Sequence, residues 1–171
     1  GRVLRGIHME DCQVAATERE ALYVPDGFSH IATPFNDRIS ILCDFERCTF
    51  DSNLVAGDVQ LAYLGAWNTL YRFKGCNFTN FKGRALKLNN MDTFEMRSCL
   101  VEAAVDNTQP WIDVNNCAAG LLDHCYFEDH GTGVGAELQR FINIDGASHG
   151  WNIDAPTFRR HGGTEPNAIR V

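Results

Sequence analysis

Two segments, 98-SCLVE-102 and 124-HCYFE-128, each carry a glutamate three residues past a cysteine. If the fold set such segments side by side, Glu102 and Glu128 would become two carboxylates about 5 Å apart, the separation used by retaining glycosidases. Like charges that close raise one pKa, which a general acid needs. Asp129 and His130 stand beside the second glutamate, and Arg159 and Arg160 occupy the equivalent place one segment on. Asp123 and Asp154 would form a second carboxylate pair. Asp113, between Lys87 and Asn143 in another column, could belong to a salt-bridged ladder or to a sugar-binding strip. Trp111 and Phe141 occupy matching places that alternation turns outward, with Leu121 outward two strands away. Exposed rings so placed suit stacking against sugars or an oligomer interface, unless inserted loops cover them. Glu102 and Glu128 are therefore the candidate catalytic residues, and Trp111, Phe141, Asp113 and Arg159 the candidate substrate-binding ones. With 22% charged residues, such carboxylate pairs also arise as plain solvated ladders.

These residues meet only if the chain repeats. Anchoring on a Cys-x-apolar triplet gives Cys12-Gln-Val14, Cys48-Thr-Phe50, Cys76-Asn-Phe78, Cys99-Leu-Val101 and Cys125-Tyr-Phe127, with Pro156-Thr-Phe158 as a sixth copy. Three residues before each anchor stand Met9, Phe45, Phe73, Met96, Leu122 and Ile153, apolar throughout. A second alternating run follows each anchor: Leu22/Val24, Leu61/Tyr63, Leu86/Leu88, Ile112/Val114, Ile142/Ile144 and Ile169/Val171. Each unit thus reads as two short strands. The anchors fall 36, 28, 23, 26 and 31 residues apart, and loops can absorb that variation at little entropic cost. Pro25 to Asp37 and Gly131 to Gly135 have the composition of such loops.

Strands that recur without helices, each with one apolar face, bury that face by stacking coil on coil. Like positions then pile into ladders about 4.8 Å apart. The predicted fold is all-β, a single-stranded parallel β-helix of about six coils, right-handed as parallel crossovers are. Asn89 and Asn115, with Asp145 after them, mark corners where Asn and Asp tolerate left-handed backbone and stacked amides can bond along the axis. The cysteines form a buried stack of small apolar fillers. Parallel side chains one coil apart suit disulfides poorly, so free thiols are expected.

Residues 1–171 make one domain with enough apolar residues (44%) for a continuous core. The net charge of −7 and the lack of a basic cluster argue against a nucleic-acid partner. No apolar run approaches a membrane span of roughly 18 residues. No Cys-x-x-Cys occurs, and His8, His30, His124, His130, His149 and His161 do not stand at zinc-ligand spacing to the cysteines, so neither metal nor cofactor is expected.

The pattern apolar-x-apolar-x-x-Cys-x-Phe, a second strand and an Asn corner resembles the right-handed β-helix of the pectin-lyase-like superfamily, over essentially the whole chain. That resemblance implies pectate lyases, polygalacturonases, uronan epimerases or bacteriophage tailspikes and appendages as the company. It brings no catalytic motif: Asn152-Ile-Asp154 matches only the first element of the polygalacturonase set, and His161-Gly-Gly163 departs from its Gly-His-Gly. Strand-like text reaches both ends without capping helices, which suggests a piece of a longer chain whose ends are covered by flanking domains or by a homotrimer. The expectation is a tailspike-like segment, on the virion or extracellular, that binds and could depolymerise a bacterial surface polysaccharide. The alternatives are a fragment of a secreted polysaccharide lyase, glycoside hydrolase or epimerase, and a non-enzymatic spacer in an oligomeric fibre.

Overall fold

The computed structural model describes residues 6–15, 20–24, 42–51, 60–65, 70–103, 109–129, 141–160 and 169–170. All their regular structure is strand, arranged as three parallel sheets of six strands each. Sheet one stacks β1 (Ile7–Glu10), β4 (Cys43–Glu46), β7 (Leu70–Lys74), β10 (Thr93–Arg97), β13 (Ala119–Asp123) and β16 (Trp151–Asp154). Sheet two stacks β2 (Gln13–Ala15), β5 (Thr49–Asp51), β8 (Asn77–Phe81), β11 (Leu100–Ala103), β14 (Tyr126–Asp129) and β17 (Thr157–Arg160). Sheet three stacks β3 (Leu22–Val24), β6 (Gln60–Leu64), β9 (Arg84–Asn89), β12 (Ile112–Asn115), β15 (Ile142–Ile144) and β18 (Ile169–Arg170). Each strand pairs with its counterpart one coil away, so the chain is a parallel β-helix of six coils, as the repeat predicts.

Each coil holds three strands, where the sequence suggested two. The extra corner lies just before the anchor, at Asp11, Arg47, Gly75, Ser98, His124 and Ala155, all with φ between 44° and 60°. The repeat carries its trace: two residues separate the apolar −3 column from the cysteine, where alternation allows one. A left-handed residue turns the chain there and brings the cysteine back to the inside. The first five of these residues donate their N–H to the carbonyl of the next coil's last sheet-one residue (Glu46, Lys74, Arg97, Asp123 and Asp154) at 2.8–3.1 Å. The corner is thus hydrogen-bonded along the axis like a strand.

The core is a set of ladders. Phe45 stacks on Phe73 with centroids 4.8 Å apart, and Phe50 on Phe78 at 5.0 Å. Cys48, Cys76, Cys99 and Cys125 line up as predicted, and each thiol donates to a carbonyl of the coil below, those of Met9, Phe45, Phe73 and Met96, at 3.3–3.5 Å. All seven cysteines are free thiols. A small side chain with a weak donor suits this column, because it fills the corner and satisfies a carbonyl.

Sheet three departs from the expected alternation in two places. In coil two the inward residues are Ala62 and Leu64, which pair with Leu86 and Leu88, so Tyr63 points outward instead of in; the side chain of Leu61 lies outside the described residues. In coils four and five Trp111 and Phe141 face the core, at 0% and 4% exposure, not the solvent. The cause is a bulge at the entry to the sheet. The Trp111 carbonyl accepts from both Ala85 and Leu86 at 2.9 and 3.0 Å, and the Phe141 carbonyl from both Trp111 and Ile112 at 3.1 and 2.9 Å. Two consecutive residues then face inward together, and the two rings meet edge to face at 4.5 Å.

The second corner is also displaced by one residue from the sequence reading. Asn89 and Asn115 end their strands in register, and the left-handed residues are Asn90 and Asn116, each with φ 51°. The amide stack is present there, with Asn116 Nδ2 donating to Asn90 Oδ1 at 2.6 Å. Asp145 closes the next coil by accepting from Asn116 N at 2.9 Å and from Ser148 Oγ at 2.7 Å. The two expected loops, Pro25 to Asp37 and Gly131 to Gly135, lie outside the described residues.

Candidate functional site

Parallel pairing converts sequence columns into vertical neighbours, and three outer surfaces follow. On sheet two, Glu102 is the register partner of Glu128, and Glu128 of Arg159. The Arg159 guanidinium stands 3.5 Å from the Glu128 carboxylate and also engages the Tyr126 phenol. The predicted pair is therefore brought together, with a cation on one member. Below it, Thr79 Oγ1 and Asn80 Nδ2 both donate to Asp51 Oδ1, at 3.0 and 2.8 Å. The side chains of Asp129 and Arg160, and all of His130, lie outside the described residues.

On sheet one, Glu10, Glu46, Lys74, Arg97, Asp123 and Asp154 form one continuous outer column. The column runs acid, acid, base, base, acid, acid, and opposite charges pair where these blocks meet, Arg97 Nη1 with Asp123 Oδ2 at 3.1 Å and Lys74 Nζ with Glu46 Oε1 at 3.4 Å. Arg47 gathers Glu10, Asp11 and Glu46 about one guanidinium. Exposed pairs of this kind contribute little each, roughly 0–1 kcal/mol. Leu121 faces outward between Glu95 and Asn152, as expected. Asp123 and Asp154 do come together, and the corner adds His124, a residue the column reading passed over. Donor atoms of Asp123, His124 and Asp154 lie within 4.8 Å of one another. Hydrogen bonding to His124, helped by its charge and that of Arg97, holds the Asp123 carboxyl below its ordinary range. The same contact with Asp123 raises the His124 imidazole.

On sheet three, the outer column runs Tyr23, Tyr63, Lys87, Asp113, Asn143. Tyr23 and Tyr63 stack at 5.5 Å with planes 23° apart, and Tyr23 remains 59% exposed, the one large hydrophobic so open among the described residues. Lys87 Nζ lies 5.9 Å from the Tyr63 ring centroid, and Asn89 Nδ2 is 3.4 Å from the Tyr63 hydroxyl. The sequence reading placed the aromatic strip at Trp111 and Phe141; the structure places it here. Aligning Ala62-x-Leu64 with Leu86-x-Leu88 would have found it.

Asp113 has the predicted neighbours Lys87 and Asn143 but is only 8% exposed, and it accepts from Asn143 Nδ2 at 2.8 Å. Its main partner is Arg84, also 8% exposed, whose Nε stands 3.0 Å from Asp113 Oδ2 and whose Nη2 donates to Gln109 at 2.8 Å. A carboxylate so enclosed is a holding group for the coil.

No protein-family model matches the chain, and comparison with curated proteins and with solved structures likewise gave no match. No helix among the described residues is long and apolar enough to cross a membrane.

Proposed function

We propose that this chain is a polysaccharide-binding segment of a pectin-lyase-like β-helix, of the kind built into bacteriophage tailspikes and appendages. It would act at the virion surface or outside the cell, as a homotrimer or between flanking domains. The observation that carries the reading is the Tyr23–Tyr63 stack, with Tyr23 open to solvent at 59%. Such a ring offers an apolar face to a pyranose, while Lys87 and Asn89 on the neighbouring rung supply donors for hydroxyls. A solenoid repeats these positions along its axis, which suits a polymer spanning several coils.

Titration with bacterial surface oligosaccharides, followed by amide NMR, tests this. Shifts should map to β3, β6 and β9 and vanish in Tyr23→Ala. Absence of interaction on glycan arrays and in the titration would remove the proposal, as would binding that Tyr23→Ala leaves unchanged.

A second reading, cleavage, is favoured by the register pairing of Glu102 with Glu128. One carboxyl would protonate the glycosidic oxygen and the other would attack or activate water, according to their separation. It predicts reducing-end release abolished by Glu102→Gln or Glu128→Gln; turnover surviving both would exclude the pair. Trimers by light scattering with no ligand would favour the spacer reading instead.

A further inference from the structure

We propose that Asp123, His124 and Asp154 form a binding site for a first-row transition-metal ion, for which Zn²⁺ is the probe. The site is independent of the glycan-binding face, which lies on sheet three. Its donors come from two coils and one corner. Asp123 and Asp154 are register partners at the ends of β13 and β16, so their side chains leave the sheet in parallel on adjacent rungs. His124 follows Asp123 in the left-handed corner, φ 51°, and its N–H is tied to the Asp154 carbonyl at 2.9 Å. Ser98 N fixes the Asp123 carbonyl from the other side at 2.8 Å. The backbone therefore sets the spacing of all three side chains before any ion arrives.

The donor chemistry selects the ion. One imidazole nitrogen and two carboxylate oxygens suit zinc, cobalt or nickel. Calcium takes six to eight oxygens at about 2.3–2.6 Å, which three side chains with a nitrogen among them do not supply. The donor atoms stand within 4.8 Å of one another. With metal–ligand bonds of about 2.0–2.2 Å, tetrahedral donors sit about 3.4 Å apart, so closure needs side-chain rotations of an ångström or so. His124 and Asp154 are exposed and free to make them.

The two oxygens of Asp123 have separate duties. Oδ2 takes the Arg97 guanidinium at 3.1 Å, and Oδ1 faces His124 Nδ1. A metal inserted between Oδ1 and Nδ1 would keep the Arg97 contact as an outer-shell bond that orients the carboxylate. Water would fill the fourth position.

The test is calorimetric titration of the whole chain with ZnCl₂ at pH 7.5, alongside His124→Asn and Asp154→Asn. Asparagine tolerates the left-handed corner, so His124→Asn should keep the fold. One equivalent should bind, and each variant should weaken it at least tenfold. NMR of the imidazole nitrogens in the unsubstituted protein gives a second reading: the His124 Nδ1 resonance should shift on zinc addition. No saturable heat at millimolar zinc overturns the proposal, as does equal affinity in both variants, which would put the ion on thiols or other histidines. An equal response to CaCl₂ overturns it too, since that is an acidic patch only. An unmoved His124 Nδ1 resonance refutes it even if a variant fails to fold.

Discussion

Replacing Gly120 by alanine tests how the sixth coil seats on the fifth. Gly120 belongs to the inward column Ile7, Cys43, Tyr71, Phe94, Gly120, Trp151, and the Trp151 ring fills the space that Gly120 leaves open. A Cβ at position 120 would lie 2.4–2.5 Å from three ring carbons of Trp151. Carbon pairs rest at about 3.5–4.0 Å, so the ring must retreat by roughly 1 Å or more. Overpacking of this kind costs about 1–3 kcal/mol. Removing a strand glycine returns about 0.5–1 kcal/mol, which leaves a net loss of about 0–2.5 kcal/mol. Trp151→Leu opens the space, and in that background Gly120→Ala should become neutral or mildly stabilising. The four proteins of the cycle, unfolded in urea and followed by far-UV circular dichroism, should give a coupling of about 1–3 kcal/mol. Because the same seating sets Asp123 beside Asp154 and Glu128 beside Arg159, Gly120→Ala alone should also weaken zinc binding. Additivity of the two substitutions within about 0.5 kcal/mol would refute the packing argument.

Four further outcomes are expected. Asp113→Ala should destabilise by about 3–5 kcal/mol in urea unfolding, because it removes the carboxylate 3.0 Å from the enclosed Arg84 guanidinium; a loss under about 1 kcal/mol would mean the pair is solvated. Ala155→Gly should stabilise by up to about 1 kcal/mol and Gly75→Ala should cost about as much, since both sit at positive φ where a Cβ is strained. Burial raises the Asp145 carboxyl, but its bonds from Ser148 and from the Asn116, Ser148 and Ala147 N–H groups outweigh that and lower its pKa below 3.8. Its stabilisation is therefore full above the unfolded pKa and lost as pH falls through the folded one; Asp145→Asn should flatten the fall in urea midpoint between pH 5 and pH 2. Burial raises the thiols of Cys48 and Cys99 and pushes Cys117 up to about 11, so these three should react with a thiol reagent only on unfolding; rapid labelling of Cys48, Cys99 or Cys117 in the native protein, located by peptide mass mapping, would contradict their burial.

The cysteine and phenylalanine columns were legible in the sequence because stacked coils repeat their inward positions, and an inward position tolerates few residue types. From that repeat follow the parallel β-helix, its six coils, the free thiols and the pairing of Glu102 with Glu128 and Asp123 with Asp154. What the columns could not carry was any departure from alternation. The bulge that turns Trp111 inward depends on the Phe141 carbonyl accepting two N–H groups from the preceding coil, a contact between residues far apart in the chain. The outward turn of Tyr63 depends on pairing Ala62 with Leu86, and in isolation Leu61-x-Tyr63 is as good a strand face as Ala62-x-Leu64. His124 joined the two aspartates only once its left-handed backbone and the bond to the Asp154 carbonyl were in place. Composition along a column sets which residues are inside; hydrogen bonds between coils decide where each turn falls, and so which side chains meet on the outer face.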